Sequence, residues 1–141
     1  MAASIPDKNL DGPLFSDVGV LALVPGKWGE MWQVRQQVLT RLTKYFRVVW
    51  CNSPDGWRDY WLRKDNHTFK PVLEEAGSLL VYTPSRWLPF LYRPHIVARF
   101  IERERLRQAA TILKKRGCSR ILLYIWRPEF GSALDLINFE F

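Results

Sequence analysis

The sequence predicts an α/β fold: a Rossmann-like, mainly parallel sheet with flanking helices. Short apolar runs without polar alternation recur four times along the chain, and such runs are typical of strands buried on both faces of a sheet. Segments with helical periodicity lie between several of these runs, so strands and helices alternate. A length of 141 residues, with 48% apolar and 25% charged residues, suits one globular domain.

The first strand is predicted at residues 18–24, where apolar residues and one glycine follow one another. Residues 1–16 precede it as a flexible leader, because prolines and a glycine lie there among polar residues. Residues 17–141 then make up the predicted domain. Pro25 and Gly26 end the first strand, since both residue types favour turns.

The first helix is predicted over residues 31–46. Its apolar positions follow at spacings of four, four and three, which is typical of one helical face. These positions are Val34, Val38, Leu42 and Tyr45. We expect this face to pack on the sheet.

Two further strands are predicted at residues 47–51 and 79–82, and turn-forming residues follow each of them. The segment between them, residues 57–78, carries a weaker pattern. Its aromatic start is compatible with one helical turn, and Pro71 and Gly77 prevent a longer element. No strand is predicted there.

The clearest helix is predicted over residues 94–116, with proline in its first turn and Gly117 as its stop. Its apolar stripe comprises Val97, Phe100, Ile101, Ala109, Ile112 and Leu113. The basic residues of this helix, Arg105 among them, are expected to be mostly solvated.

A fourth strand is predicted at residues 119–126, and a short helix near Gly131. The sequence then stops in an apolar run without a capping element. A doubly wound half-domain closes its sheet with further strands and a last helix. We therefore expect the domain to be incomplete at its C-terminus.

The formal net charge of +7 predicts an anionic partner: nucleic acid, nucleotide, phospholipid or a phosphorylated acceptor. In the arginine-rich segment 99–107, Glu102 and Glu104 are interspersed and no recognition motif occurs, so no nucleic acid is expected. Cys51 and Cys118 lie in no metal-spaced cluster, and no secretory signal occurs. A reducing cytoplasm is therefore the expected compartment.

The turn after the first strand, residues 25–32, is the candidate ligand loop. In open α/β sheets, loops at the carboxyl ends of strands form the ligand crevice, and glycines there let backbone N–H groups approach a phosphate. Gly26 and Gly29 supply that freedom, and Lys27 adds positive charge. The loop matches neither GxGxxG nor GxxxxGK[ST], so a purely structural turn remains the alternative.

A run of matches links this loop to the residues that follow it. Trp28 is followed by Arg-Gln-Gln at residues 35–37, by leucines, by an apolar strand and by Asn-Ser-Pro at residues 52–54. This order resembles the opening of bacterial glycosyltransferases with the GT-B fold, in the glycosyltransferase 4-like group. That family carries Arg-Pro-Gln-Gln-Leu on its first helix, so the chain departs from the pattern at Gln36 and Val38.

The apolar strand and proline at residues 121–128 are similar to the same family, so the resemblance spans most of residues 18–137. It implies a glycosyltransferase with two nucleotide-fold domains facing a cleft. The N-terminal domain, to which this chain corresponds, mainly binds a glycan or lipid-linked acceptor. A missing C-terminal domain holds the nucleotide-sugar donor, and no cofactor or metal is implied. The chain by itself is then expected to be inactive.

The resemblance also implies donor-phosphate contacts. These are Gly26, Lys27, Trp28, Gly29 and Arg35. A polar helix face without a ligand remains the alternative for Arg35 and the two glutamines that follow it. No residue is identified as catalytic, and His67 and His95 lack the spacing of metal ligands.

Aromatic and basic residues elsewhere are candidate contacts to the acceptor or to a membrane. They are Trp57, Arg86, Trp87, Arg93 and Arg127. Rings and arginines suit the headgroup level of an anionic membrane, so peripheral docking at the inner face of the plasma membrane is expected for residues 85–93. Trp57 would suit stacking on sugar rings. Packing over the core or against the missing domain remains the alternative for these residues, and a non-catalytic basic interaction domain remains the alternative function.

Overall fold

The computed structural model describes residues 12–29, 33–53, 72–76, 79–85, 88 and 93–135. The strands are β1 (Phe15–Leu23), β2 (Phe46–Cys51), β3 (Val72–Ala76), β4 (Leu79–Thr83) and β5 (Arg120–Ile125). The helices are α1 (Val34–Leu42) and α2 (His95–Lys115), and a 3₁₀ segment covers Pro128–Asp135.

The five strands form one sheet in the order β3-β4-β2-β1-β5. β1 pairs in parallel with β2 and with β5, and β2 pairs in parallel with β4. β3 runs antiparallel to β4 at the edge of the sheet. The predicted α/β class with a mainly parallel sheet is confirmed.

The four strands that the sequence predicts are all present, with small shifts at their ends. β1 begins at Phe15, within the predicted leader, because Phe15 has partners at the start of β2. Its ring stacks on Phe46 with centroids 5.6 Å apart, and its N–H donates to the Tyr45 carbonyl at 2.7 Å. Residues 1–11 of the predicted leader lie outside the described residues.

β3 is the strand that the sequence analysis missed. Leu73, Glu74 and Glu75 are all exposed, so this edge strand needs no apolar run and leaves no apolar signal. Its position is fixed instead by backbone pairing with β4 and by an ion pair, in which Arg116 donates to Glu75 at 3.0 Å. Strand identity here depends on contacts between segments distant in sequence.

Alternate residues of each strand face opposite sides of the sheet, and each side has its own core. The α2 side carries Leu21, Val49, Leu80, Tyr82, Leu106, Ala109, Leu113, Cys118 and Ala133. The α1 side carries Val20, Ala22, Val24, Leu39, Val48, Trp50, Leu79 and Val81. Burial on both sides explains why β1, β2 and β4 are apolar without alternation.

β5 lies at the other edge of the described sheet and is covered less on the α1 side than on the α2 side. Ile121 and Leu123 pack against the α2-side core. Leu122, which is in register with Val20 of the α1 side, is 50% exposed. The apolar run of β5 predicts burial on both sides, but on the α1 side only Tyr124 is partly packed against the core formed by the described residues.

α2 lies antiparallel to the parallel strands, with its last turns at the start of β1. The predicted stripe is confirmed for Ile101, Ala109 and Leu113, which are buried. It is wrong for Val97 and Phe100, which are exposed. None of residues 95–100 is buried, so the first turns of α2 do not pack into a core formed by the described residues.

Gly117 terminates α2, as predicted, and the φ of this glycine is +91°. The Gly117 N–H donates to the Lys114 carbonyl at 3.0 Å, and the Cys118 N–H donates to the Leu113 carbonyl at 3.1 Å. These two bonds form a Schellman motif. Glycine adopts the positive φ of this position without the steric cost of a Cβ.

α1 is shorter than the predicted helix and turns a different face to the sheet. Three residues of the predicted apolar face are exposed: Val34, Val38 and Tyr45. The buried residues are Leu39 and Gln36, at 0% and 1% exposure, and Leu42 packs only partly. Residues three apart share a helical face, so the packing of Leu39 on the α1-side core also buries Gln36. The predicted face is therefore wrong.

Gly19→Ala is expected to destabilise the protein. A Cβ at this position would lie 2.9 Å from both Cδ atoms of Leu113 and 3.1 Å from Cys118 Sγ. Leu113 is fully buried, so overpacking should lower the free energy of unfolding by about 1–3 kcal/mol, measured by urea denaturation. Gly131→Ala is the control, because a Cβ there meets no atom within 4 Å. Equal effects of the two changes would contradict the close approach of α2 to β1.

Candidate functional site

The carboxyl ends of the four parallel strands lie at one edge of the sheet, called here the carboxyl edge. The chain passes from β1 to β2 on one side of β1, and later returns to β5 on the other side. In open α/β sheets, ligands bind outside the strand ends where the order reverses in this way. The β1 loop, residues 24–29, lies at this reversal. Beside it, the Trp126 N–H donates to the Leu23 carbonyl at 3.2 Å.

The β1 loop is held by side chains from the end of β2. Gly26 and Gly29 have φ values of 90° and 87°, in the region that glycine adopts most readily. The Gly26 N–H donates to Ser53 Oγ at 3.1 Å, and the Trp28 N–H donates to Asn52 Oδ1 at 2.8 Å. The loop conformation is therefore specified by the next strand end as well as by its own glycines.

Asn52 joins three strand ends. Its side-chain Nδ2 donates to Thr83 Oγ1 at 2.9 Å, and its backbone N–H donates to the Tyr82 carbonyl at 2.9 Å. Together with the bond from Trp28, these contacts fix the ends of β1, β2 and β4 relative to one another. In the sequence, Asn52 was predicted only as part of a turn, and its role in joining the strand ends was not predicted. An asparagine directly after a buried strand is the signal that could have indicated it.

Two of the predicted phosphate contacts are already engaged within the protein. The N–H groups of Gly26 and Trp28 donate hydrogen bonds to side chains. The Trp28 ring packs edge-on against Trp50, with ring centroids 5.1 Å apart. These contacts fit the structural-turn alternative for Gly26 and Trp28. Gly29 is exposed and Lys27 is half-buried.

Arg35 lies in the first turn of α1, the helix that follows the β1 loop. Its Nε is buried and has no hydrogen-bond partner within the described residues. The neighbouring Gln36 is buried, and its Oε1 accepts from the Gln33 N–H at 2.7 Å, which fixes the start of the helix. Gln36 therefore does not lie on a solvated polar face, and its hydrogen bond at the helix start needs no ligand. Arg35, in contrast, has an Nε donor without a partner among the described residues.

The α2 side of the carboxyl edge has a different polar group. Cys51 ends β2, Tyr82 lies near the end of β4, and the charge of Arg105 acts on both. Burial raises the pKa of Cys51 to about 12 and raises the pKa of Tyr82 above its ordinary value, so both are neutral near pH 7. Cys51 is therefore a poor nucleophile. Tyr82 donates its hydroxyl hydrogen to Gln108 Oε1 at 2.6 Å.

Arg105 departs from the prediction that the basic residues of α2 are mostly solvated. Its side chain is half-buried, its Nη1 is enclosed, and that nitrogen has no hydrogen-bond partner among the residues described. Burial lowers the pKa of Arg105, although an arginine remains protonated in proteins. Helical periodicity alone gave no sign of this, because arginines occur on several faces of α2.

The remaining predicted contacts fall partly outside the described chain. Arg93 precedes α2 and Arg127 follows β5, and both are exposed near the carboxyl edge. Trp57, Arg86 and Trp87 lie outside the described residues. The predicted contacts within the described residues thus lie in segments that adjoin the carboxyl edge, on both sides of the sheet: Gly26, Lys27, Trp28, Gly29, Arg35, Arg93 and Arg127.

No three His, Cys, Asp or Glu side chains of the described residues are grouped so as to hold a metal ion. Neither α1 nor α2 combines the length and apolarity needed to cross a membrane. Comparison with protein-family models, with curated proteins and with solved structures found no match to this chain. The residues of the carboxyl edge are therefore the basis for a functional proposal.

Asn52→Ala is expected to destabilise the protein more than Ser53→Ala. The first change removes two side-chain hydrogen bonds and leaves part-buried partners unsatisfied, which costs about 1–3 kcal/mol. The second removes the acceptor of one bond, from Gly26, at about 0.5–1.5 kcal/mol. Urea unfolding of both variants measures the difference. If Asn52→Ala costs no more than Ser53→Ala, Asn52 does not hold the strand ends together.

Proposed function

We propose that this chain is the N-terminal, acceptor-binding domain of a GT-B-fold glycosyltransferase. The observation that carries the proposal is the strand order. Numbered by their appearance, the parallel strands β4, β2, β1 and β5 run 3-2-1-4 across the sheet, which matches the first four strands of the Rossmann order 3-2-1-4-5-6. The glycine loop that resembles the family lies at the reversal in this order. A C-terminal domain outside this sequence would hold the donor.

In the proposed reaction, a glycosyl group passes from a nucleotide-sugar to a hydroxyl group of a glycan or lipid-linked acceptor of the cell envelope. The bond between the sugar and the nucleoside diphosphate breaks with oxocarbenium character, so negative charge develops on the leaving phosphate. Arginine suits that charge because its planar guanidinium matches two phosphate oxygens. Arg35 is assigned this contact since its Nε has no partner among the described residues. Lys27 and Gly29 would complete it.

Arg35→Gln is expected to weaken binding of a nucleoside diphosphate to this chain about tenfold or more, because a charge-assisted hydrogen bond contributes about 1.5–3 kcal/mol. NMR titrations with UDP, GDP and UDP-glucose measure this effect. Arg41→Gln is the control, since Arg41 is exposed in the last turn of the same helix.

Unchanged affinity in Arg35→Gln would remove Arg35 from the donor contacts. A lack of resonance shifts at the carboxyl edge with every nucleotide, and with a panel of envelope oligosaccharides, would remove the glycosyltransferase proposal itself.

An exposed patch on α2 supports contact with an anionic membrane. Ile96 and Phe100, 84% and 66% exposed, lie one turn apart with Val97 between them. The exposed basic residues beside this patch are Arg93, Arg99 and Arg103. Apolar side chains among arginines suit the headgroup region. This patch fits an enzyme with a lipid-linked acceptor, and it equally fits the alternative of a non-catalytic basic domain at a membrane surface.

Phe100→Glu is expected to lower binding to anionic vesicles. Transfer of a phenylalanine side chain out of water contributes about 1.5–3 kcal/mol, so the partition coefficient should fall roughly tenfold or more. Co-sedimentation with phosphatidylcholine–phosphatidylglycerol vesicles, and with pure phosphatidylcholine vesicles, measures the change. Val34→Glu is the matched control, an exposed apolar residue of α1 with the same charge change. Equal losses in both variants, or no binding by the wild type, would remove the patch as a membrane contact.

A further inference from the structure

Arg105 is a charged side chain in an enclosed setting. It lies in the third turn of α2, on the side that packs on the sheet, and its Nη1 is buried without a hydrogen-bond partner among the residues described. Burial of an unpaired charged donor is strongly unfavourable, so native proteins rarely retain one without a reason. The side chain is accordingly expected to have a partner of opposite charge.

No acid among the described residues forms a hydrogen-bonded ion pair with Arg105. Cys51 and Tyr82 carry no charge near pH 7, and Glu102 is the acid whose charge most favours the protonated guanidinium. Glu102 accepts from Ser132 Oγ at 3.4 Å, and Glu104 accepts from Gln108 Nε2 at 3.4 Å. The ion pairs within the described chain, Arg116 with Glu75 and Arg120 with Asp17, do not involve Arg105.

The position of Arg105 is that of a ligand contact. The N-terminal half of α2 reaches the carboxyl edge, where Cys51 ends β2 and Glu102 contacts the 3₁₀ segment after β5. Ligands of open α/β sheets bind outside this edge. Arg35 belongs to α1, on the other side of the sheet, so the two arginines serve separate places.

We propose that Arg105 is the binding residue of an oxyanion site on the α2 side of the carboxyl edge. The ligand group is a phosphate or a carboxylate, because both present two oxygens to the planar guanidinium fork. Arg105 Nη1 donates to one of these oxygens, and the ligand supplies the hydrogen-bonded anionic partner that Arg105 lacks among the described residues. The site does not depend on the glycosyltransferase proposal, since any ligand with such a group would use it.

Two variants of the full chain test the site. Arg105→Gln removes the charge at the site, and Arg103→Gln removes an exposed charge from the same helix. Thermal unfolding is followed with inorganic phosphate, with acetate, and with chloride at equal ionic strength. For the wild type and Arg103→Gln, phosphate or acetate should raise the unfolding midpoint above the chloride value. For Arg105→Gln, the apparent affinity should fall tenfold or more.

A second measurement separates binding from a structural role. Without ligand, Arg105→Gln should be as stable as the wild type or more stable, because an uncompensated buried charge has been removed. In the wild type, the Arg105 Nε–Hε resonance should shift on addition of the anion that binds. Comparison of phosphate with acetate identifies which oxyanion the site prefers.

Three outcomes would overturn the proposal. The first is stabilisation of the wild type by chloride as strongly as by phosphate and acetate. The second is retention of the anion effect in Arg105→Gln. The third is unfolding or marked destabilisation of Arg105→Gln without ligand, matched by Glu102→Gln, because that result would make Arg105 a structural partner of Glu102.

Discussion

β1 lies between β2 and β5 and carries a core on each side, and this double enclosure determines much of the molecule. Its residues must be apolar on both faces, and small where a helix comes closest. Gly19 meets the second requirement, since Leu113 and Cys118 occupy the space that a side chain would need. Because the chain goes from β1 to β2 on one side and later to β5 on the other, the strand order reverses at β1. The β1 loop owes its position to that reversal.

At the carboxyl edge, strand ends joined by hydrogen bonds lie near two arginines whose hydrogen-bond donors are not all paired. Asn52 ties the strand ends together, so the groups around them have little freedom to rearrange. Arg35 and Arg105 each keep a buried nitrogen without a partner among the described residues, one on each side of the sheet. A third such nitrogen, Trp50 Nε1, is uncharged. Proteins tend to leave polar groups unpaired at functional sites, so the two unpaired arginine nitrogens near this edge support ligand contacts there.

The parts of the fold that depend on burial on both faces were predictable from the sequence. β1, β2 and β4 are continuous apolar runs for that reason, and the end of α2 follows from the conformational freedom of Gly117. β3 was not predictable, because an exposed edge strand is defined by its pairing. The face that α1 turns to the sheet was not predictable either. Leu39, which lies outside the predicted apolar face, is the α1 residue that is fully buried in the core.

The candidate site was predictable only in part. A general rule about strand ends placed the β1 loop at the crevice, and a family resemblance added Arg35. The engagement of Gly26 and Trp28 by Ser53 and Asn52 could not be read from the chain, since it joins residues more than twenty positions apart. The enclosure of Arg105 depends likewise on where α2 crosses the sheet.

The outer edge of β5 bears on how the sheet could meet another strand. Its outward backbone N–H and C=O groups have no strand partner among the described residues, and Leu122 beside them is half exposed. Such an edge is a template for strand addition by another molecule, and charged residues oppose that process. Arg120, paired with Asp17 at 3.8 Å, supplies charge only at the first position of the strand. Within the described part of the chain, the β5 edge therefore carries little charge against strand addition.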